Sequence, residues 1–458
     1  MSRKVSRRHF LKAGSVSAAA AGFWLTGGVT ESFAAQPGAN ERLNIAIVGC
    51  GGQGGGNARQ GAVTAENIVA LCDVDANRAR DEFNRYPKVT KYTDFRVMLE
   101  KQKDIQAVIV STPDHTHFHA TAMSIQRGKH VYTEKPLTHS VWEARQLRLL
   151  AAKHKVATSM GNQGTATNGI RTAAEIIRSG AIGEVREVHV WTNRPIWPQG
   201  MGRPKARQEV PKHLNWDLWI GPAPERPYHS AYAPFAWRGW WDFGTGALGD
   251  MACHTMNMPF MALRLVAPTA VSAEVVGGVN SETAPARGVT VTYEIPARHD
   301  LPALRLFWYE SPYQPNVAAA DRVYRRPPAA VLEGIPNVGG SGCVIIGNKG
   351  KMYSGADYGD SFTLLPVADF RDYRPPQPTI PRSPGHHAEW IRACKGGSAA
   401  MSNFVDYAGP LTELVLLGNV AMRVGERFTW DSEKLQASVP GAAQYIHPPF
   451  RKGWEWTA

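Results

Sequence analysis

From residue 42 onward the apolar positions fall into short unbroken runs, separated by segments in which apolar residues recur every three or four positions. "LNIAIVGC", "ENIVALCDVD", "IQAVIVSTP", "KHVYTEKP" and "VATSMG" are runs of the first kind. Apolar character without alternation suits a parallel strand covered on both faces. Between them, "GGQGGGNARQGAV", "DANRARDEFNRY", "DFRVMLEKQ", "HFHATAMSIQRG" and "SVWEARQLRLLAAKHK" predict helices. Strand and helix alternating at this spacing predict an α/β domain over residues 36–160, a doubly wound parallel sheet of the Rossmann kind. After about residue 161 the texture changes. "GIRTAAEIIRSGAIGE" predicts a helix ending at Gly180. "VREVHVWTN", "AVSAEVVGG", "GVTVTYEIP", "ALRLFWYES" and "GCVIIGNKG" then alternate apolar and polar residues. Residues 161–458 are therefore expected to form an α+β domain around a large, mostly antiparallel sheet with one face covered. A long irregular segment, 195–243, interrupts it and carries Trp197, Trp216, Trp219, Trp237, Trp240 and Trp241. Such a segment is a functional loop or a packing insert.

Length and composition change this picture little: 458 residues, 43% hydrophobic and 20% charged, describe an ordinary globular chain. The net charge of +12 is scattered, without a basic stripe interleaved with aromatics, so no nucleic-acid partner is expected. Five cysteines without a CxxC spacing, Cys50, Cys72, Cys253, Cys343 and Cys394, argue against a disulfide framework or a zinc site. The first 35 residues are different. "SRRHFLKAGSVSAAAAGFWLTGG" pairs Arg7 with Arg8 ahead of a weakly apolar run, and small residues near Ala34 and Ala35 suit cleavage. This predicts a twin-arginine export signal over residues 1–35 and a periplasmic or otherwise extracytoplasmic destination. The apolar run is too short and glycine-rich to span about 30 Å of hydrocarbon, so stable membrane insertion is not expected after cleavage.

The chemistry-bearing residues gather at the predicted strand ends. Gly49-x-Gly51-x-x-Gly54 follows a buried-type strand and opens a helix, and Asp73 ends the next strand. That context is what a dinucleotide site requires. Gly49 permits the turn, Gly51 lets N–H groups reach a pyrophosphate, and Gly54 allows the helix to pack close; Gly52 and Gln53 complete the turn. A carboxylate at Asp73 can accept from ribose hydroxyls and favours NAD over NADP, although Arg78 lies nearby in sequence. Thr112 and Pro113 end the third strong strand, on the edge where open α/β sheets bind ligands. His115, His117 and His119 follow at alternate positions and would not all face one way, so a metal site is not expected. Helix capping or pocket lining suits them better, and His117 is assigned to the cofactor pocket. Lys135, between Glu134 and Pro136, ends a strand on that same edge. Pro136 biases it away from the α region and directs it into the crevice. A lysine buried there is expected to have a lowered pKa and to exchange a proton with a substrate hydroxyl. Asp250 and His254, four apart on a predicted helix, share one face and could supply an acid and a neutral imidazole.

"GCGGQG", "STPDHTHFHATAMSIQRGKHVYTEKP" and "GALGDMACHTMN" together resemble the glucose–fructose oxidoreductase / inositol dehydrogenase / rhizopine-catabolism (Gfo/Idh/MocA) superfamily, and the C-terminal "SNFVDYAGPLTELVLLGNVAMRVGERFTWD" resembles its exported branch. The resemblance implies hydride transfer between NAD(P) and a sugar or polyol, an open-faced sheet used for oligomer contacts, and a homodimer or homotetramer. It makes Lys135 the catalytic lysine, Asp250 and His254 the acid/base pair, and Glu134 a neighbour of the nicotinamide. It also implies that Asn162 and Gln163 reach cofactor or substrate. The Trp-rich insert departs from many soluble members: Trp237 and Arg238 could hold a sugar, or the tryptophans could brace the insert or a dimer contact. Export in folded form suggests a tightly bound cofactor. Two other functions stay open: a redox-neutral glycoside-cleaving enzyme acting by transient oxidation and elimination, and a binding module with a vestigial cofactor site.

Overall fold

A computed structural model describes residues 41–456, apart from 313, 315, 319, 320 and 322–324. The export signal falls outside the described residues. The first sheet is built from β1 (Asn44–Val48), β2 (Asn67–Cys72), β3 (Thr90–Tyr92), β4 (Ala107–Val110), β5 (His130–Thr133) and β6 (Thr158–Met160). All its pairings are parallel, in the order β3-β2-β1-β4-β5-β6. Every residue of β4 is buried, and so are four of the five in β1, because helices cover both faces. The order reverses between β1 and β4, which opens a crevice at their carboxyl ends.

The glycines at that crevice are required by contact. Gly49 has φ +80°, and a Cβ there would stand 2.7 Å from the Ser111 carbonyl oxygen. At Gly54, in helix α1 (Gln53–Ala58), a Cβ would stand 1.7 Å from the Gly49 carbonyl oxygen. Backbone lies on the other side of that clash and cannot rotate away. Gly54→Ala is therefore expected to lower stability by about 3 kcal/mol and to weaken nucleotide retention, as read by chemical denaturation and by nucleotide content of the purified protein. A loss under about 0.5 kcal/mol, the size of an ordinary surface substitution, would contradict this packing.

Helices α2 (Asp114–Gln126) and α3 (Val141–His154) complete the first layer. Ser140 starts α3 with a capping box: its hydroxyl accepts from the Glu143 N–H and the Glu143 carboxylate accepts from the Ser140 N–H. Helix α4 (Asn168–Arg178) leads to the second sheet. This has nine strands: β7 (Val185–Thr192), β8 (Ala270–Val275), β9 (Val289–Ile295), β10 (Leu304–Glu310), β11 (Gly342–Gly347), β12 (Lys351–Ser354), β13 (Thr363–Leu365), β14 (Phe428–Asp431) and β15 (Gln436–Ala437). They lie in the order β13-β12-β11-β7-β10-β9-β8-β14-β15, antiparallel except for the central β7–β10 pair. Alternation is strict in β9, where Val289, Val291, Tyr293 and Ile295 are buried and Thr290, Thr292 and Glu294 are not. The buried face packs against helices α5 (Gly246–Thr255) and α7 (Gly409–Val424), with α6 (His386–Cys394) between them in the chain. The Tyr293 hydroxyl donates to the Val415 carbonyl across that packing. No helix among the described residues is long and apolar enough to cross a membrane.

Candidate functional site

A cavity of about 1160 Å³ opens beyond the carboxyl ends of β1, β4 and β5, and both parts of the fold line it. From the predicted set, Gly49, Gly51, Gln53, Asp73, Thr112, Pro113, Glu134, Lys135, Gln163, Trp237, Arg238, Asp250 and His254 stand in its wall. Gly52, Gly54, His117 and Asn162 do not. Gly52 is exposed at the start of α1, and Gly54 is buried behind Gly49. Asn162 is fully buried; its Oδ1 accepts from Ser402 while its Nδ2 has no partner.

Lys135 sits at the end of β5 as the sequence predicts, but its ionisation is the reverse of expectation. Nζ donates to Asp250 Oδ1 at 2.7 Å and to the Asp250 carbonyl at 2.9 Å. Burial alone would lower its pKa; the adjacent Asp250 carboxylate more than offsets this, and the lysine is held above its ordinary value. Arg238 Nε also reaches Asp250 Oδ1, at 3.2 Å, and its guanidinium carbon lies 4.3 Å from the centre of the Trp237 ring. The two cations hold the Asp250 carboxyl well below the usual carboxylate range, against its own burial. Lys135 is thus an anchored ammonium. Two of its three N–H donors are taken by Asp250, which leaves one.

One turn along α5, His254 is buried, with Nδ1 unpartnered and its ring centre 4.7 Å from that of Tyr358. Burial, and then the Lys135 charge, push its pKa down to about 3, so the imidazole is neutral. Asp114 stands in the same wall and accepts from the Thr245 hydroxyl at 2.8 Å. Its carboxyl is pushed up to about 7, chiefly by burial.

On the β1–β4 side, Asp73 serves the glycine turn itself. Its Oδ2 accepts from the N–H groups of Cys50 at 2.7 Å and Gly51 at 3.2 Å. Glu134 is buried, and its Oε1 accepts from Asn57 Nδ2 at 2.8 Å and Gln53 Nε2 at 3.3 Å. Asn57 also meets His387 Nε2 at 3.2 Å. The His387 ring stacks on Tyr132 with centres 4.7 Å apart, and His386 Nε2 lies 2.7 Å from the Met160 carbonyl oxygen. Both histidines start α6 and line the cavity from more than 220 residues along the chain. The buried Arg171–Glu389 ion pair, at 2.5 Å, ties α6 to α4. Sequence reasoning missed Asn57, Asp114, Tyr358, His386 and His387; the "PGHH" turn was the signal for the last two, without any indication of where it folds.

The three spaced histidines all lie on α2 and act inside the fold. His115 meets the carbonyls of Phe243 and Trp219, and His119 meets that of Trp454. His117 is corrected from the cofactor set: its two ring nitrogens lie 2.8 Å from the carbonyl oxygens of Pro136 and Thr112, and the ring is buried inside the fold rather than standing in the cavity wall. Among the described residues no group of histidines, cysteines and acids could hold a metal ion. The tryptophans of the insert divide. Trp216 and Trp240 pack with Tyr232 and Phe243 in the insert's own core, Trp219 and Trp237 belong to that core and also reach the cavity, and Trp197 lines the cavity.

A dinucleotide fits the residues present. At Gly49 and Gly51 the turn leaves no room for a Cβ, and Thr112 Oγ1 is buried beside it without a partner. Residues 43–162 match the family description "Oxidoreductase family, NAD-binding Rossmann fold", and residues 173–294 match "Oxidoreductase family, C-terminal alpha/beta domain". Residues 4–24 match a twin-arginine translocation signal, which indicates export. An inositol 2-dehydrogenase of Salmonella typhimurium is 31% identical over 153 residues, 32% of this chain and 45% of that one. The chain thus spans about half the length of the curated relatives it matches. Among solved structures, GenD2 from gentamicin A biosynthesis, in complex with NAD, aligns with TM-score 0.55 and 20% identity over 85% of this chain and 97% of that one. The WlbA dehydrogenase from Bordetella pertussis, in complex with NADH and UDP-GlcNAcA, aligns with TM-score 0.59 and 14% identity over 85% and 99%. These likenesses show the fold. With the two family matches covering more than half of its residues, the chain belongs to the Gfo/Idh/MocA oxidoreductase family.

Proposed function

We propose that the protein is an exported, NAD-dependent oxidoreductase that oxidises or reduces a CH–OH carbon of a sugar or sugar derivative. The observation that carries this reading is the Lys135–Asp250 pair with a neutral His254 one turn away, in the same cavity as the glycine turn. Bound nicotinamide supplies the acceptor for a hydride. The remaining N–H of Lys135 donates to the substrate oxygen and stabilises negative charge there. Asp250 and Arg238 fix the ammonium in place. The hydroxyl proton becomes strongly acidic as the C=O bond forms, so the imidazole of His254 accepts it even with a depressed pKa. Reduction runs the same steps backwards.

Asp73 beside the turn favours NAD over NADP, and free cofactor is scarce outside the cytoplasm, so the nucleotide is held tightly. Folded export, a periplasmic location and a dimer or tetramer complete the reading. A second reading, transient oxidation followed by elimination of an aglycone, draws support from the open aromatic mouth of the cavity described below. Mass spectrometry of nucleotide released by denaturing the purified protein is expected to find NAD; finding NADP, or no nucleotide, would overturn the cofactor assignment. Incubation with a sugar panel then separates the readings. A keto-sugar or lactone supports the dehydrogenase, and free aglycone with no net change of nucleotide supports cleavage.

A further inference from the structure

Among the described residues, ten large hydrophobic side chains are exposed, and three of them line this one cavity: Ile196 (51%), Phe235 (50%) and Tyr358 (46%). They come from separate stretches of chain, and two of them, Tyr358 and Phe235, connect to the reacting end. Tyr358 lies against the ring of His254. Phe235 meets Trp197 edge-on with centres 6.5 Å apart, and the Arg238 guanidinium carbon lies 5.7 Å from the Phe235 ring centre and 5.8 Å from that of Trp197. Arg194 and Asp357 stand at the same mouth, half-exposed and 3.8 Å apart, a loose pair able to offer both a donor and an acceptor.

Apolar surface left in water in this way is unfavourable until something covers it. A single polyol ring held at Lys135 presents hydroxyls on every side and offers no extended apolar face to match these side chains. A second ring would: its C–H or aryl face covers Phe235, Ile196 and Tyr358, and its polar edge meets Arg194 and Asp357. Continuity with His254 and Arg238 argues for a ligand that is one molecule with the reacting sugar rather than for a separate protein partner. We infer that this mouth is a second-ring subsite, which takes the aglycone or the second sugar of a glycoside whose first ring sits against Lys135. The inference rests on the oxidoreductase reading only for where the first ring sits.

The test uses the full-length mature protein, monosaccharides, and the matched phenyl glycosides and disaccharides of both anomers. Phe235→Ala and Ile196→Ala change exposed side chains outside the reacting groups. Each is expected to lower kcat/KM for the two-ring substrates about tenfold, the factor that loss of one ring contact of about 1.4 kcal/mol gives, while free sugars change less than about twofold. An equal effect on both classes, or none on either, overturns the subsite. If no sugar reduces the bound nucleotide, the oxidoreductase reading fails, and calorimetric binding decides the subsite by itself. Phenyl glycosides that bind more tightly than free sugars, and lose that margin in Phe235→Ala, support it. Equal binding, or no binding by any member of the panel, overturns it.

Discussion

Lys135→Met is expected to lower kcat by about a thousandfold, within the range attributed to a positioned proton-transfer or charge-stabilising group, with a much smaller change in KM. The side chain is an ammonium with two donors committed to Asp250, so its contribution is a fixed positive charge and one directed N–H at the substrate oxygen. Developing charge on that oxygen is largest in the transition state, and the loss therefore falls on kcat. Lys135→Arg keeps the charge but replaces a compact ammonium by a planar fork. It is expected to recover little activity, because the fork does not place one donor in the same direction. Both variants are expected to stay folded, since Arg238 Nε, 3.2 Å from Asp250 Oδ1, still offers that carboxylate a cationic partner. Single-turnover reduction of bound nucleotide by sugar is the measurement, with the melting temperature recorded alongside. Turnover within tenfold of the parent in Lys135→Met would remove the lysine from the mechanism.

The place of Lys135 was legible in the sequence, and its charge state was not. A strand end followed by proline is a local pattern, and it put the side chain on the correct edge of the sheet. The partner that reverses its pKa is Asp250, 115 residues away, and no local pattern announces that pairing. Five of the six parallel strands were legible because each lies in a short, mainly apolar run. β3, a parallel strand of Thr90, Lys91 and Tyr92, was not read because it is polar and largely exposed, and β12, β13, β14 and β15 were not read, each being two to four residues with no sustained apolar run around it. His386 and His387 were missed for a third reason. They reach the nucleotide side because α6 packs Trp390, Ile391 and Cys394 against the first sheet and Arg171 holds Glu389 from 218 residues away, long-range contacts that no local pattern announces. His117 failed differently: proximity to a strand end suggested the pocket, yet the ring turns inward to two carbonyls. The insert showed that tryptophan content alone does not identify a binding surface. Its most buried members brace it, and the exposed Phe235 and Ile196 face the mouth.

Stability is expected to pass through a maximum near pH 6.5, because two sets of buried groups pull in opposite directions. Burial pushes His115, His254 and His387 down to about 3, and His119 and His139 down to about 4. The unfolded chain takes up protons at these histidines below about pH 6.5 and the folded chain does not. Their contribution is therefore complete above that pH and is lost as pH falls toward 4. Burial pushes Asp114 and Glu310 up to about 7 and Glu143 up to about 8. Here the folded state holds protons that the unfolded state has released, so the contribution is complete below about pH 4 and is lost as pH rises through 7 to 8. Between about pH 4.5 and 6 the five histidines outnumber the three carboxyls, and stability climbs with pH by roughly 3 kcal/mol per unit. Above about 6.5 the histidines are silent in both states, the carboxyls alone act, and stability declines until about pH 8. Scanning calorimetry from acid to alkaline pH is expected to show the melting temperature falling by about 3 °C or more on each side of the maximum. Glu310→Gln removes one ionisable group that opposes the histidines and feeds the alkaline decline; it is expected to shallow the alkaline limb and to steepen the acid limb to roughly 4 kcal/mol per unit, since two carboxyls then offset the five histidines. A melting temperature that keeps rising to pH 8 would mean that these carboxyls are ionised in the folded protein, and that the wall facing Lys135 carries a second negative charge at Asp114.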